Sequence, residues 1–503
     1  MKVNSNIKKI VHAYPMISRL GYPLVKRLWK ARAIFLDYEY PENEVASIMK
    51  EEVLDYNKAR IFGPQKRFCY APFNNIHFKV NGDVTLCSFN DKLTIGNIRE
   101  SRLYDIWKSQ QAEHFRDRMR RYDLSNCLEC KMAFSFKNYS SLPTTKYDFY
   151  ADDAVEYPNQ MSFETSNLCN LECIMCNEVL SSSIRKTKGM DPLPNVYDEA
   201  FLEDLKTFIP HLKIATFIGG EPLLIRQYYK VWEQILSVNS SCEIHIQTNA
   251  TVLPERFNLL LDSGHFDVGV SLDAISRELF ERIRGKSSHE KVFANVKTLI
   301  GFYRAGKINL NVNFCLMSVN WHELPLMLEF CNEHNISLKI IHINAPFHLD
   351  IKNLPSFKVK RVYDVLSTYL PPSGGTVIIS RNKRMYDDAL ATIKSYIGYS
   401  DKMYEFLNSY NGRNLNELYA EIRQVLRQHI AFTGLSDKEK NDVVDFIVSY
   451  LDDKQVAASV KEDVCKRLLY HFLINEHNLT DRIDFGVFQK VLDGYLEIEL
   501  QVE

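Results

Sequence analysis

The sequence predicts an α/β fold, in which a partial (β/α)6 barrel lies between an N-terminal α+β module and a C-terminal helical domain. Three observations support this prediction. Residues 158–345 alternate short apolar runs with amphipathic segments, residues 62–135 combine strand-like runs with four cysteines, and residues 360–503 have a helical pattern almost throughout. Alternating strands and helices are typical of parallel strands joined by right-handed crossovers.

The barrel is predicted from six strand-like runs. They are residues 161–166, 214–220, 242–249, 266–273, 308–317 and 338–345. Helical patterns at 199–208, 226–238 and 289–303 account for three of the connections. We assign residues 155–355 to this barrel core, and we expect its chemistry at the carboxyl ends of the strands.

Three further segments flank the barrel. Residues 1–60 have a helical or irregular pattern, and residues 61–135 form the α+β module, in which Asn81-Gly82 between two alternating runs indicates a hairpin. Residues 360–503 form the helical domain, after a short strand expected at 376–380. Its expected helices are residues 383–398, 401–410, 414–432, 436–452, 454–475 and 484–495.

The composition is that of an ordinary globular protein. The 503 residues include 62 basic and 63 acidic side chains, so the whole chain has no strong field that favours nucleic acid. No apolar run approaches the roughly 18 residues that a membrane span needs. The N-terminus is basic but has no continuous apolar segment like that of a signal peptide, so we expect a cytoplasmic location.

A C-x3-C-x2-C motif follows the first predicted barrel strand, with Cys169, Cys173 and Cys176 as its cysteines. Thiolates are the natural ligands of iron–sulfur clusters. Three closely spaced cysteines leave one iron of a [4Fe–4S] cluster open, and an open position allows a small molecule to bind the metal. A zinc site completed by a distant histidine is the alternative.

This motif and the strand ends after it resemble the radical S-adenosylmethionine (SAM) superfamily. Gly219-Gly220-Glu221 ends the second strand like the family's GGE motif, which holds the methionine amino group of SAM. The resemblance makes the three cysteines the catalytic cluster ligands. It assigns SAM binding to Gly219, Gly220, Glu221, Asn249, Ser271, Asp273 and Arg284. Two alternatives remain open: Asp273 as a helix N-cap, and Arg284 as a surface residue.

A second cysteine set lies before the barrel and comprises Cys69, Cys87, Cys127 and Cys130. Together with the hairpin and a helix at about 101–121, it resembles the SPASM/twitch module of radical SAM enzymes. The resemblance implies one auxiliary [4Fe–4S] cluster held by all four thiolates. In most of the family this module follows the barrel, whereas here it precedes it. A structural zinc site with the same four ligands is the alternative.

The resemblance implies that the reduced first cluster cleaves SAM to a 5′-deoxyadenosyl radical, which abstracts hydrogen from a substrate carbon. We expect an oxidoreductase that modifies a peptide or protein by crosslinking, oxidation or epimerisation, with a flavodoxin or ferredoxin as electron donor. A sugar-like alcohol and a nucleic acid are the alternative substrates. Candidate general bases at strand ends are Glu164, His245 and His342. Of the four other cysteines, only Cys315 lies on a barrel strand near the expected site.

Overall fold

A computed structural model describes most of residues 50–474 of the chain. The gaps are residues 61–63, 91–92, 126, 128–129, 131–133, 135–138, 140–141, 154–155, 344, 429–435 and 455–456, and residues 489, 492–494 and 496 are also described. The basic N-terminal segment and nearly all of the helix expected at 484–495 lie outside the described residues. The described chain divides into two compact units, which are residues 1–271 with 284–311, and residues 272–283 with 312–503.

The strands agree closely with the sequence prediction. Strands β1 to β11 are Asn75–Phe78, Asp83–Thr85, Thr94–Asn97, Gln160–Phe163, Glu172–Cys173, Ile214–Phe217, Glu243–Thr248, His265–Ser271, Arg284–Gly285, Ile308–Leu316 and Ser337–His342. The main sheet of the first unit has the order β10-β8-β7-β6-β4-β1-β2-β3, and in the second unit β11 lies beside the end of β10. The six barrel strands therefore follow one another in sequence order, which confirms the partial barrel.

Parallel pairing in the first unit aligns the carboxyl ends of β4, β6, β7 and β8. The register pairs Phe163 with Phe217, and these two buried rings stack with centroids 4.7 Å apart. Because parallel strands end at the same edge, the residues that follow each strand lie close together. This edge is where the cysteine motif and the GGE motif emerge.

The α+β module is joined to this sheet by backbone pairing. Strand β1 pairs antiparallel with β2 across the predicted Asn81-Gly82 hairpin, and Gly82 has the positive φ of 91° that such a turn requires. Strand β1 also pairs in parallel with β4, with Ile76 opposite Met161. The module thus continues the barrel sheet beyond its first strand, a long-range pairing that no local sequence pattern indicates.

The helices are divided between the two units. In the first unit, α1 to α9 are Lys50–Ala59, Ala71–Asn74, Leu103–Trp107, Gln110–Arg120, Thr145–Asp148, Ser182–Thr187, Glu199–Phe208, Arg226–Val238 and Glu255–Leu260, and α11 is His289–Arg304. In the second unit, α10 is Arg277–Ile283, and α12 to α17 are Leu324–Glu333, Ser356–Thr368, Val377–Ser409, Leu415–Gln428, Asp437–Asp453 and Ala458–Ile474. No described helix is long and apolar enough to cross a membrane.

The strand expected at 376–380 is wrong, because these residues begin the long helix α14. Thr376 caps that helix, since its hydroxyl accepts a hydrogen bond from the backbone N–H of Ile379. Farther along, Asn382 accepts from the N–H of Leu338 beside β11. Tertiary packing therefore overrides the β-propensity of Val377, Ile378 and Ile379. The two helices expected at 383–398 and 401–410 are one continuous helix.

Candidate active site

The loop that carries Cys169, Cys173 and Cys176 leaves the end of β4 and is held by short hydrogen bonds. Ser182 at the start of α6 binds Cys169 twice, because its Oγ accepts from the Cys169 N–H (3.0 Å) and donates to the Cys169 carbonyl (3.1 Å). A turn bond from Cys176 N to Cys173 O (2.9 Å) brings the last two cysteines together. Sequence reasoning missed Ser182, for which the only signal was a serine at a helix start.

Arg284 lies beside this loop. The two-residue strands β5 and β9 pair antiparallel and place Arg284 directly opposite Cys173. Its Nη1 approaches the Cys173 sulfur at 3.9 Å, and the residue is only 6% exposed, so the alternative of a surface arginine is wrong. Next to this pair, Lys286 forms an ion pair with Glu172 (2.7 Å), which ties the two short strands together at the surface.

The two glycines of the GGE motif contact the cysteine loop at its base. Gly219 and Gly220 have φ values of 81° and 51°, which favour glycine. A Cβ on Gly220 would lie 2.3 Å from the carbonyl oxygen of Leu168, the residue before Cys169. The N–H of Glu221 donates to that same carbonyl (2.7 Å). The glycines therefore permit a close approach of two backbones that fixes the start of the cysteine loop.

The Glu221 carboxylate is fully buried and binds the end of β7. Its Oε1 accepts from the Thr248 hydroxyl (2.6 Å) and from the Leu223 N–H (3.1 Å), and its Oε2 accepts from the Asn249 N–H (2.7 Å). Burial raises the pKa of Glu221 to about 7, although these three donors and the Arg284 charge oppose the shift. In this arrangement the carboxylate positions Asn249.

Asn249 connects the end of β7 to Cys169, the first cysteine of the motif. Its side-chain amide donates to Asn170 Oδ1 (3.2 Å) and lies 3.9 Å from the Cys169 sulfur. Its Oδ1 accepts from the Thr251 N–H (2.9 Å), which fixes the orientation of the amide. The structure thus brings the three cysteines together with Asn249, Glu221, both glycines and Arg284, all in the first unit.

Ser271 ends β8, Asp273 follows it, and the two residues belong to different units. In the first unit, Ser271 Oγ accepts from the Gln247 amide (3.4 Å) at the end of β7. In the second unit, the buried Asp273 accepts from the Cys315 N–H (2.8 Å), and its carbonyl accepts from the Asn320 amide (2.8 Å). Asp273 therefore holds the end of β10 and does not cap a helix.

The three candidate bases have distinct surroundings. Glu164 directly follows β4; burial raises the pKa of Cys176 to about 11, and the Glu164 charge adds a smaller contribution. His245 lies in the amino-terminal half of β7, where its two ring nitrogens face Asp267 (3.4 Å) and Glu243 (3.6 Å). His342 ends β11, and burial lowers its pKa to about 4. Glu164 is the one that follows the same strand as the cysteine loop.

The second cysteine set is also brought together in the first unit. Burial raises the pKa of Cys69 well above its usual value, and the negative charges of Cys130, Cys87 and Cys127 raise it further. Burial raises the pKa of Cys127 to about 12, with Cys87 as the next cause. Burial and the neighbouring cysteines therefore both disfavour the thiolate forms of Cys69 and Cys127.

Two of these four sulfurs also accept hydrogen bonds from backbone N–H groups. The N–H of Ala71 donates to the Cys69 sulfur and the N–H of Phe89 to the Cys87 sulfur, both at 3.4 Å. Within the described ranges, no three His, Cys, Asp or Glu side chains are grouped closely enough to hold one metal ion.

The four other cysteines belong to neither set. Cys242, Cys331 and Cys465 are buried and behave as small core residues. Cys315 is half-buried at the end of β10, where its backbone binds Asp273.

A parallel partial barrel with a three-cysteine loop after its first strand is the architecture of the radical SAM superfamily. The model of that superfamily matches residues 163–331, and the model of the SPASM iron–sulfur cluster-binding domain matches residues 69–131. The chain therefore carries a radical SAM domain, which binds SAM and a [4Fe–4S] cluster, and a SPASM domain on its N-terminal side, which binds an auxiliary cluster.

Curated relatives match a limited part of the chain. The probable GTP 3′,8-cyclase of Methanocaldococcus jannaschii is 30% identical over 176 residues, which cover 35% of this chain and 56% of that protein. The GTP 3′,8-cyclase of Clostridium botulinum is 25% identical over 186 residues, which cover 37% of this chain and 56% of that protein. The chain thus spans about half the length of the curated relatives it matches.

Two solved structures are also similar. One is Streptococcus suis SuiB bound to S-adenosylmethionine, with a TM-score of 0.31, 16% identity, and coverage of 42% of this chain and 44% of that chain. The other is native anSMEcpe with bound AdoMet, with a TM-score of 0.32, 18% identity, and coverage of 42% of this chain and 60% of that chain.

Proposed function

We propose that this chain is a radical SAM oxidoreductase that abstracts hydrogen from a carbon of a peptide or protein. Cys169, Cys173 and Cys176 would hold the cluster that binds SAM. Cys69, Cys87, Cys127 and Cys130 would hold the auxiliary cluster. The outcome would be a crosslink, an oxidation or an epimerisation, and an external flavodoxin or ferredoxin would supply the electron.

The site residues have separate tasks in this proposal. When bound, SAM and the reduced cluster supply a 5′-deoxyadenosyl radical, which is the cofactors' chemistry and not the protein's. Arg284, beside Cys173, offers a guanidinium fork suited to the carboxylate of SAM. The backbone of Gly219 and Gly220 would contact the methionine amino group, while Glu221 keeps Asn249 in place beside Cys169. Ser271 and Asp273 are proposed to act near the ribose.

The observation that favours a peptide substrate is the apolar surface of the cysteine loop and the residues just after it. This stretch of the chain exposes four large apolar side chains to solvent: Leu168, Ile174, Val179 and Met190. Exposed apolar groups at a cofactor site are typical of a surface that binds an apolar partner. Two cations of this region are paired, Lys286 with Glu172 and Lys188 with Glu178, which reduces the charge available to a triphosphate.

A nucleotide substrate is the second candidate. The curated relatives named above are GTP 3′,8-cyclases, and one of them reaches 30% identity over 176 residues. A nucleoside triphosphate would require several unpaired Lys or Arg side chains around its phosphates. The two candidates therefore need different surfaces: the peptide an apolar one, and the nucleotide a positively charged one. The near-zero net charge of the chain does not favour a long nucleic acid as the substrate. The cytoplasmic location stays a prediction.

The source of the abstracted hydrogen distinguishes the two candidates. Cells are grown in deuterated medium, and their extract is separated into a polypeptide fraction and a small-molecule fraction. Each fraction is added to the reconstituted enzyme with unlabelled SAM and reductant. We expect deuterium in 5′-deoxyadenosine only from the polypeptide fraction, measured by mass spectrometry. Deuterium from the small-molecule fraction would refute the peptide proposal, and deuterium from deuterated GTP alone would replace it with the nucleotide one.

A further inference from the structure

Residues 144–150 lie outside the matched SPASM domain, yet they are built into its interior. This segment contains α5 and links the cysteine module to the barrel. Within it, Tyr147 and Asp148 are almost completely buried, at 0% and 1% exposed. The Asn74 amide donates to the carbonyls of Tyr147 and Tyr150 (both 3.2 Å), which attaches the segment to the end of α2, close to Cys69 in the chain.

The Tyr147 hydroxyl is in contact with a proposed cluster ligand. It donates to the Cys87 sulfur across 3.7 Å, within the range for a hydrogen bond to sulfur. The N–H of Ser88 donates to the same phenol oxygen (3.2 Å), so that oxygen already has an acceptor role. The Cys87 sulfur also accepts a hydrogen bond from the N–H of Phe89 (3.4 Å). Its sulfur therefore has one backbone donor and one side-chain donor.

Lys146, acting through Ser88, strengthens the Tyr147 hydroxyl as a hydrogen-bond donor. Lys146 Nζ donates to Ser88 Oγ (3.1 Å), and that hydroxyl lies 3.3 Å from the Tyr147 oxygen. Because Ser88 Oγ accepts from an ammonium group, its own proton is available to the Tyr147 oxygen. Hydrogen bonds in such a chain polarise one another. The order Lys146, Ser88, Tyr147, Cys87 thus transmits part of a positive charge to the sulfur.

A buried ion pair fixes the position of this chain. Arg60 binds Asp148 with two bonds, from Nε to Oδ2 (2.9 Å) and from Nη2 to Oδ1 (3.0 Å). The same guanidinium donates to the carbonyls of Arg67 (2.8 Å) and Phe68 (2.6 Å), immediately before Cys69. One arginine therefore holds the residue after Tyr147 and the backbone before Cys69 in a single arrangement.

We propose that Tyr147 is a positioning residue that raises the reduction potential of the auxiliary cluster through its hydrogen bond to Cys87. Hydrogen bonds to the sulfurs are among the factors that set the potential of an iron–sulfur cluster. A donor stabilises the reduced cluster more, because reduction adds negative charge to the sulfurs. The inference rests on the proposed assignment of Cys69, Cys87, Cys127 and Cys130 as the ligands of that cluster.

The test is a redox titration monitored by electron paramagnetic resonance. The parent is the full chain with Cys169, Cys173 and Cys176 changed to alanine, so that the auxiliary cluster alone gives the signal. In this parent, Tyr147→Phe removes the hydroxyl and keeps the ring. We expect the equilibrium constant for reduction to fall roughly tenfold, which is about 59 mV toward lower potential for a one-electron couple.

Two further variants complete the design. Tyr122→Phe is the matched control, because Tyr122 is a fully buried tyrosine of the same unit whose hydroxyl donates to the Lys66 carbonyl. It should leave the potential unchanged. Lys146→Met removes the charge at the far end of the chain and keeps the contacts of its aliphatic stem. Lys146→Met should lower the potential by a smaller amount than Tyr147→Phe. It replaces Tyr147→Phe as the test of the hydrogen-bond chain if that variant does not fold.

The outcomes separate the inference from the assignment on which it rests. Iron is counted in the parent first, and a parent without iron would overturn the ligand assignment and the inference together. If the parent holds the cluster, but Tyr147→Phe and Lys146→Met both keep its potential, then the role of Tyr147 is refuted while the ligand assignment stands. An equal shift in Tyr122→Phe would also refute it, because any lost buried hydroxyl would then have the same effect.

Discussion

The glycine at the base of the cysteine loop gives the most quantitative prediction. A Cβ on Gly220 would lie 2.3 Å from the oxygen of Leu168 and 2.8 Å from the carbonyl carbon of Asn167, both backbone atoms that cannot rotate away. The closest ordinary contact of a Cβ is about 3.4 Å, so Gly220→Ala must separate the two backbones by about 1 Å. That movement breaks the bond from Glu221 N to Leu168 O (2.7 Å).

The free energy of destabilisation by Gly220→Ala is the sum of two contributions. A residue with a Cβ in the left-handed region costs roughly 1–2 kcal/mol. Loss of a backbone hydrogen bond with a buried partner costs roughly 1–3 kcal/mol. Gly189→Ala is the matched control, because Gly189 also has a positive φ (66°) on the loop after α6, but its added Cβ would meet nothing within 4 Å. We therefore expect about 3 kcal/mol for Gly220→Ala and about 1 kcal/mol for Gly189→Ala.

Hydrogen exchange of the Glu221 amide measures this contact directly. A local destabilisation of about 3 kcal/mol accelerates the exchange of that amide by roughly two orders of magnitude, at about 1.4 kcal/mol for each factor of ten. Gly189→Ala should leave the Glu221 amide as protected as in the unchanged chain. Equal protection of this amide in Gly220→Ala and in Gly189→Ala would refute the close approach of the two loops.

Two further predictions concern buried charges in the first unit. Because burial raises the pKa of Glu221 to about 7, the folded chain binds this proton more tightly than the unfolded chain, and the free energy of unfolding should fall as pH rises from about 4.5 to about 7. Glu221→Gln should lack this fall, which denaturation midpoints of both proteins at about pH 5 and pH 8 would test; parallel pH curves would contradict it. Asp148→Asn should cost about 3–5 kcal/mol of stability, since it leaves the buried Arg60 charge uncompensated. Thermal unfolding beside the control Asp262→Asn, whose exposed carboxylate pairs with Lys307, checks that value, and equal midpoints would contradict it.

The barrel strands were predictable because their signal is local. Each predicted run ends within a few residues of the observed strand, as for 243–248 within the expected 242–249. Their parallel orientation then follows from general rules of crossover connections. The meeting of the cysteine loop, Gly219-Gly220-Glu221 and Asn249 follows in turn, since all of them emerge from neighbouring strand ends.

Other features depended on contacts that are distant in the chain. The pairing of β1 with β4 joins residues 75–78 to 160–163, and no local pattern specifies it. The two-residue strand that places Arg284 opposite Cys173 is too short to produce a periodic signal. Tyr147 lies in a short helix without a motif, and only its burial beside Cys87 distinguishes it from the other tyrosines. Val377–Ile379 was misassigned because β-branched residues favour strands where no tertiary contact intervenes.

The central claim is that this chain holds two iron–sulfur clusters and cleaves SAM with the one at Cys169, Cys173 and Cys176. The most direct measurement is an iron and sulfide count after anaerobic reconstitution, followed by an assay of 5′-deoxyadenosine with dithionite. We expect about eight irons and product from the unchanged chain, and about four irons without product when the three cysteines are alanine. Iron-free protein, or equal product from both proteins, would contradict the account.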